Sequence, residues 1–187
     1  MKINAEKTKL LRLNTTNAEK VQVDGQDIGE VERFVYLGAN VSNEGSTEDD
    51  IKAGLGKATV AYNKPDKFWK NSQFTIRTKV NTFKSNVISV LSDGCKTWRT
   101  TQADEEKLDA FLHKSLRRIL KIYWPIRITN KEVRRRVGIR ETVSNQVARQ
   151  RWTWLGHVLS MDHHSHPRFV LAWVPEGKRK RGRSRET

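Results

Sequence analysis

Four of the five histidines of this 187-residue chain fall in one run, GHVLSMDHHSHPRF, at His157, His163, His164 and His166. Imidazoles spaced this closely are potential zinc ligands, but structural zinc normally takes four Cys or His donors. His157 lies on a predicted helix and the other three beyond its end, with only Asp162 as a nearby carboxylate. The run is therefore expected to hold surface and helix-end histidines and no metal. Glu48, Asp49 and Asp50 form a second apparent ligand cluster, but consecutive acids at a predicted helix start answer the helix dipole and its cap. Cys95, the single cysteine, has no partner set for nucleophilic catalysis and can form no intramolecular disulfide. The sequence contains no Gly-rich phosphate loop ending in Lys-Ser/Thr, no GxSxG elbow and no HExxH. Binding, rather than bond making, is the expected chemistry.

The charge says what is bound. Lys and Arg number 36 against 21 Asp and Glu, a net charge of +15, which favours polyanionic partners. Residues 1–60 carry 8 basic and 10 acidic side chains, whereas residues 61–187 carry 28 and 11. The polyanion-binding surface is thus expected in the later two thirds. No stretch approaches the roughly 18 apolar residues that span a bilayer, and the N-terminus has no apolar run of signal-peptide length. An intracellular protein with no membrane partner is the expectation. Six tryptophans lie close to cations and could stack on bases, although their large apolar area predicts most of them in the core, with one or two facing nucleic acid.

The elements that would position these groups fall into two classes. TKLLRL, VQVDGQDI and RFVYLGANV read as short strands, with Asp24-Gly25 as a tight hairpin turn, and together they predict a small antiparallel sheet. After SNEG the period changes to that of a helix: Thr47 and Asp50 resemble a capping box, with Ile51, Leu55, Ala58 and Tyr62 on one face. Gly54 and Gly56 weaken this helix, and Pro65 should end or kink it. A second helix is predicted over Thr75–Leu91. A third starts near Asp104, with Leu108, Phe111, Leu112, Leu116, Ile119 and Leu120 as its apolar stripe and Lys114, Arg117, Arg118 and Lys121 as a cationic ridge for phosphates. Thr129 and Glu132 cap a short helix that carries Arg134, Arg135 and Arg136 and stops at Gly138; Arg134 and Arg135 extend the predicted nucleic-acid surface. A last helix is expected from Val143 to Leu159, grouping Val147, Trp154, Leu155, Val158 and Leu159, and the tail PEGKRKRGRSRET is expected to be disordered unless bound. The fold class is α+β, a small sheet followed by helices.

The order INAEKTKLL, FVYLGANVSNEG, TKVNTFKSNVISVLSDGCKTW, LHKSLRRILKIYW, RWTWLGHVLSM and PEGKRKRGR resembles the C-terminal portion of the reverse transcriptase polyprotein of non-LTR, LINE-type retrotransposons, over nearly the whole chain. The resemblance implies the end of a polymerase palm at 1–45, a thumb-like helical domain at 46–125, a basic helical region at 126–174 and a basic tail at 175–187. It places Phe34, Tyr36, Leu37 and Gly38 in the primer-grip hairpin, and Lys7 in a palm segment as an accessory to pyrophosphate departure. The family's metal-binding aspartates hold two Mg²⁺ ions, but this sequence has no Tyr-x-Asp-Asp. A fragment is thus implied, lacking the upstream palm and fingers, without polymerase activity or cofactor of its own, bound to RNA and DNA through the backbone of a template–primer duplex and nuclear in location. Where such proteins read LLYG.E.W this chain has VLSDGCKTW, so Asp93 stands where an aromatic would pack and, if buried, would cost several kcal/mol. Within GHV.RM, Gly156, His157, Val158 and Met161 match and the later histidines do not. The rival expectation is a domesticated or relic interaction protein that binds chromatin or a protein.

Overall fold

The computed structural model describes residues 8–12, 19–23, 25–36, 39–42 and 48–172, with the backbone alone described at 35, 36, 39–41 and 172. The strands are β1 (Lys9–Leu10), β2 (Gln22–Val23), β3 (Gln26–Asp27), β4 (Gly29–Glu30), β5 (Arg33–Tyr36) and β6 (Ala39–Ser42). The helices are α1 (Glu48–Asn63), α2 (Asp66–Lys70), α3 (Ile76–Thr82), α4 (Ser89–Leu91), α5 (Gln102–Ile119), α6 (Asn130–Val137), α7 (Val143–Ser160) and α8 (His166–Ala172). The class is mixed α and β, with helix predominating. Two compact units divide the chain, residues 1–151 and 152–187, so the segments expected at 1–45 and 46–125 fall in one unit.

The expectation of one small antiparallel sheet needs correction. Among the described residues the strands form three separate two-stranded pairs. β2 and β3 make the hairpin anticipated around Gly25, whose φ of +76° suits a residue without Cβ. β5 and β6 are antiparallel, with Tyr36 opposite Ala39. β1 and β4 are parallel, Lys9 opposite Gly29, a pairing between segments some 20 residues apart that alternation along either segment does not encode.

The helical core of the first unit forms where apolar stripes converge. Ile51, Ala58 and Tyr62 of α1, Val80 of α3, and Leu108, Leu112, Leu116 and Ile119 of α5 are all buried in one cluster. Complete burial of a side chain such as Leu116 is worth about 1.5–3 kcal/mol. Pro65 ends α1 as anticipated, and the turn it makes folds α2 back so that Trp69 stacks on Tyr62, ring centroids 5.0 Å apart, and donates Nε1 to the Tyr62 carbonyl at 2.6 Å. Burial pushes the Tyr62 phenol up to about 12.

The helix predicted over 75–91 is present from Ile76 to Leu91, capped by Thr75, but residues Phe83–Ile88 wind as a π-helix. This wider turn keeps Phe83, Val87, Ile88 and Leu91 all buried. Asp93, beyond its end, is exposed; the penalty expected for a buried aspartate is not incurred, because the chain turns at Ser92–Gly94 and directs Cys95 and Trp98 into the core instead. In α1 the two glycines, read alike from sequence, differ. A Cβ on Gly54 would lie 3.2 Å from Trp98 Cζ2, whereas one on Gly56 would meet nothing. Gly56→Ala is expected to stabilise the fold by about 0.5–1 kcal/mol, and Gly54→Leu to destabilise it by about 1–3 kcal/mol, measured by urea denaturation; equal shifts would refute the close approach to Trp98.

Long-range polar contacts set the remaining helices. Thr101 and Asp104 form a reciprocal capping box at α5, and Lys107 ties Asp104 to Glu48 of α1. Asp109 on α5 accepts from Ser144 N at 3.0 Å and Ser144 Oγ at 2.8 Å, so a carboxylate of one helix caps the N-terminus of another. His113, one turn further, is buried and donates Nδ1 to the Asp109 carbonyl at 2.6 Å. Burial, with Arg134 and Arg117 nearby, lowers its pKa from the usual imidazole value. Among the described residues no helix is long and apolar enough to cross a membrane.

Candidate nucleic-acid interface

The four cations predicted as a ridge on α5 have different fates. Lys114 is exposed with no anionic partner among the described residues. Arg117 is half-buried and donates Nη2 to the Ile128 carbonyl at 2.9 Å and to Asn130 Oδ1 at 2.7 Å. Arg118 stands over the Tyr62 ring, 5.3 Å from its centroid, and 3.8 Å from Asp66. Lys121 lies past the helix end, with φ +56°, and is exposed. Of the four ridge residues, the two arginines are thus engaged by partners outside the helix, and the two lysines remain open. Lys79, not anticipated as special, is buried with Nζ donating to the Trp69 carbonyl at 2.7 Å. Burial, and to a lesser degree the charge of Lys121, lowers its pKa.

On α6 the predicted cap is present, Thr129 Oγ1 accepting from Glu132 N, and Gly138 closes the helix at φ +69°. The Glu132 carboxylate does not reach back to the cap; it accepts two hydrogen bonds from Arg135, at 2.6 and 2.8 Å, and one from Arg136 at 3.0 Å. These bonds hold its pKa at about 2. Arg134 is half-buried, with its Nε enclosed. Of the two arginines predicted here for nucleic acid, Arg135 is thus occupied by an acid and Arg134 faces inward. Glu132→Gln is expected to free Arg135 and Arg136 and to tighten nucleic-acid binding about two- to threefold, with a salt dependence steeper by about one charge; unchanged affinity in an anisotropy titration would show these arginines to lie off the interface.

The tryptophans also depart from expectation. Trp69 and Trp98 are core residues, but Trp124 is 87% exposed, Trp152 71% and Trp154 44%. Three of the five described tryptophans are thus exposed, against the expectation that most lie in the core, and Leu159, grouped with the apolar face of α7, is exposed as well. Trp124 belongs to the loop between α5 and α6, where Tyr123 and Ile126 are also exposed. Arg127 and Lys131 in and beyond this loop are exposed and, like Lys121, lack an anionic partner among the described residues. Cations and aromatic faces are thus interleaved over residues 121–131, the composition that holds phosphates and stacks bases. The signal was present in the sequence as KIYWPIRITNK, but periodicity alone does not distinguish an exposed aromatic from a buried one.

The other predicted positions carry less. Phe34 in β5 is at the margin of exposure and Tyr36 ends that strand; Lys7, Leu37 and Gly38 lie outside the described residues, as do Thr47 and the basic tail. Asp49 pairs with Arg33 at 3.2 Å and Glu48 with Lys52 and Lys107, the helix-start role expected of them. His157, His163, His164 and His166 are exposed, and no group of three or more potential ligands occurs among the described residues. Cys95 is buried, its thiol pushed up by burial and placed 3.2 Å from Gln150 Oε1, which disfavours the thiolate a nucleophile requires. A cavity of about 390 Å³ opens beside the π-helical turn, lined by Lys84, Ile88, Leu112, Arg140, Gln146 and Arg149 among others. Arg149 there is engaged by Glu141 at 3.1 Å. Comparison of the chain with family models, with curated proteins and with solved structures yields no match.

Proposed function

We propose that this chain is a thumb-like, nucleic-acid-binding part of a non-LTR retrotransposon reverse transcriptase, which grips an RNA–DNA duplex by its phosphates and performs no polymerase chemistry itself. The observation that carries the reading is the group Lys114, Lys121, Arg127 and Lys131, exposed on α5, on α6 and in the loop between them, with no acid among the described residues to neutralise them. Unpaired like charges are unfavourable in the free protein and are relieved by a polyanion. Contacts of this kind read backbone geometry rather than sequence, as a template–primer clamp requires. The order of motifs, which resembles that of retrotransposon polyproteins, supports the assignment, and a nuclear setting accords with it. The Mg²⁺ ions of such polymerases belong to aspartates in a Tyr-x-Asp-Asp turn, which this sequence lacks.

The test is a titration of the purified protein against a short fluorescent RNA–DNA hybrid over a range of salt. The logarithm of affinity is expected to fall with the logarithm of salt concentration with a slope of about −3 to −4, one charge for each of the four cations. A flat response would refute the proposal. A second reading, an interaction protein, draws on α8, where Phe169, Val170 and Leu171 are exposed in succession; co-purification of a protein partner that survives nuclease treatment would favour it.

A further inference from the structure

The loop between α5 and α6 is built to hold its aromatic tip outward. Ile122 at its start is buried in the core and donates its N–H to the Arg117 carbonyl at 2.9 Å. A turn follows, Ile126 N donating to the Tyr123 carbonyl at 3.0 Å. The far end is fastened by the Arg117 guanidinium, which grips Ile128 and Asn130, while Ile128 packs against the core. Between these anchors Tyr123, Trp124 and Ile126 face solvent, 61%, 87% and 59% exposed. A tryptophan in this position contributes no burial energy to the fold but gains it when a partner covers the ring, and a loop anchored at both ends loses little entropy when it is covered.

We propose that this loop is a stacking platform for an unpaired base, so that the preferred ligand is a duplex with a single-stranded overhang and not a blunt one. The inference rests on the backbone-binding reading above and names the form of nucleic acid that the same surface selects. Charge identifies the occupant: Lys121, Arg127 and Lys131 flank the aromatic tip without acidic partners among the described residues. A nucleotide supplies both complements at once, a phosphate for the cation and a π-face for the ring. Interior bases of a duplex already stack on both neighbours and offer no free face, and a blunt end offers only that of its terminal pair, so the platform gains most from an unpaired base.

Two hybrids of equal duplex length, one blunt and one with a short overhang, are titrated against the full chain. The overhang is expected to bind about tenfold tighter. Trp124→Ala should abolish that preference, bringing the overhang affinity down to that for the blunt hybrid, while Trp124→Phe should retain most of it; because Trp124 is exposed, circular dichroism should be identical for all three proteins. Equal affinity of the unmodified chain for the two hybrids would overturn the inference while leaving backbone binding intact, as would a preference that persists in Trp124→Ala. Failure to bind either hybrid would overturn the backbone reading and this inference together. Anionic phosphatidylserine vesicles are a third ligand: Trp124-dependent binding to them without an overhang preference would assign the loop to a lipid surface instead.

Discussion

Reversing the charge at Lys121 and Arg127 together, in the variant K121E/R127E, is expected to weaken hybrid binding about a hundredfold at low salt and to flatten the salt slope by about two charges. Each lysine or arginine lost removes a phosphate contact, and each carboxylate gained repels the backbone at the same place. Both positions are exposed and hold no partner among the described residues, so the substitutions leave the fold intact. The matched control is K52E/K70E, which alters net charge equally but at lysines already paired with Glu48 and Asp66. If binding depends on this surface, the control loses far less affinity. Equal losses in the two variants would reduce the effect to overall charge and remove the claim of a defined interface.

Phe83→Ala is expected to cost about 3–5 kcal/mol of stability, read as a lower urea midpoint with an unchanged slope. Phe83 is fully buried, meets the Tyr62 ring edge-on at 6.0 Å, and opens the π-helical turn. The surrounding core cluster draws residues from α1, α3 and α5 among other elements, so the cavity left behind has little freedom to collapse. Ile76→Ala on the same helical stretch provides the contrast: Ile76 is largely exposed, and its truncation should change stability by no more than about 0.5 kcal/mol. A cost below about 1 kcal/mol for Phe83→Ala would mean that the π-helical turn does not hold this ring in the core.

Binding and stability thus place different demands on neighbouring residues. Arg117 and Arg118 carry the charge of a nucleic-acid contact, yet each is used to hold the fold, the first fastening the loop and the second covering Tyr62. Lys114 and Lys121 have no such duty. A basic face read by helical projection overstates the charge left open to a partner for this reason: the projection counts charges, while the fold decides which remain available.

The sequence by itself determined α1, the helical stretch from Ile76 to Leu91, α5, α6 and α7, but not α2, α8 or the π-helical turn. Thr75, Thr101 and Thr129 cap where side-chain oxygens are needed, Pro65 and Gly138 stop helices where the backbone demands it, and the apolar stripe of α5 predicts its buried face. These are local effects, encoded within four or five residues by hydrogen bonding, φ preference and the 3.6-residue period. The hairpin at Gly25 is legible for the same reason. Only the tertiary structure decided the parallel pairing of β1 with β4, the carboxylate of Asp109 at the start of α7, the contact of Gly54 with Trp98, and which tryptophans face solvent. Each depends on residues some twenty or more positions apart meeting in space, and no local period carries that information. The candidate interface is divided in the same way: its positive charge is written in the composition, and the pairing of Arg135 with Glu132 in their i, i+3 spacing, but the partners that occupy Arg117 and Arg118, and leave Lys114, Lys121, Arg127 and Lys131 open, are set by folding.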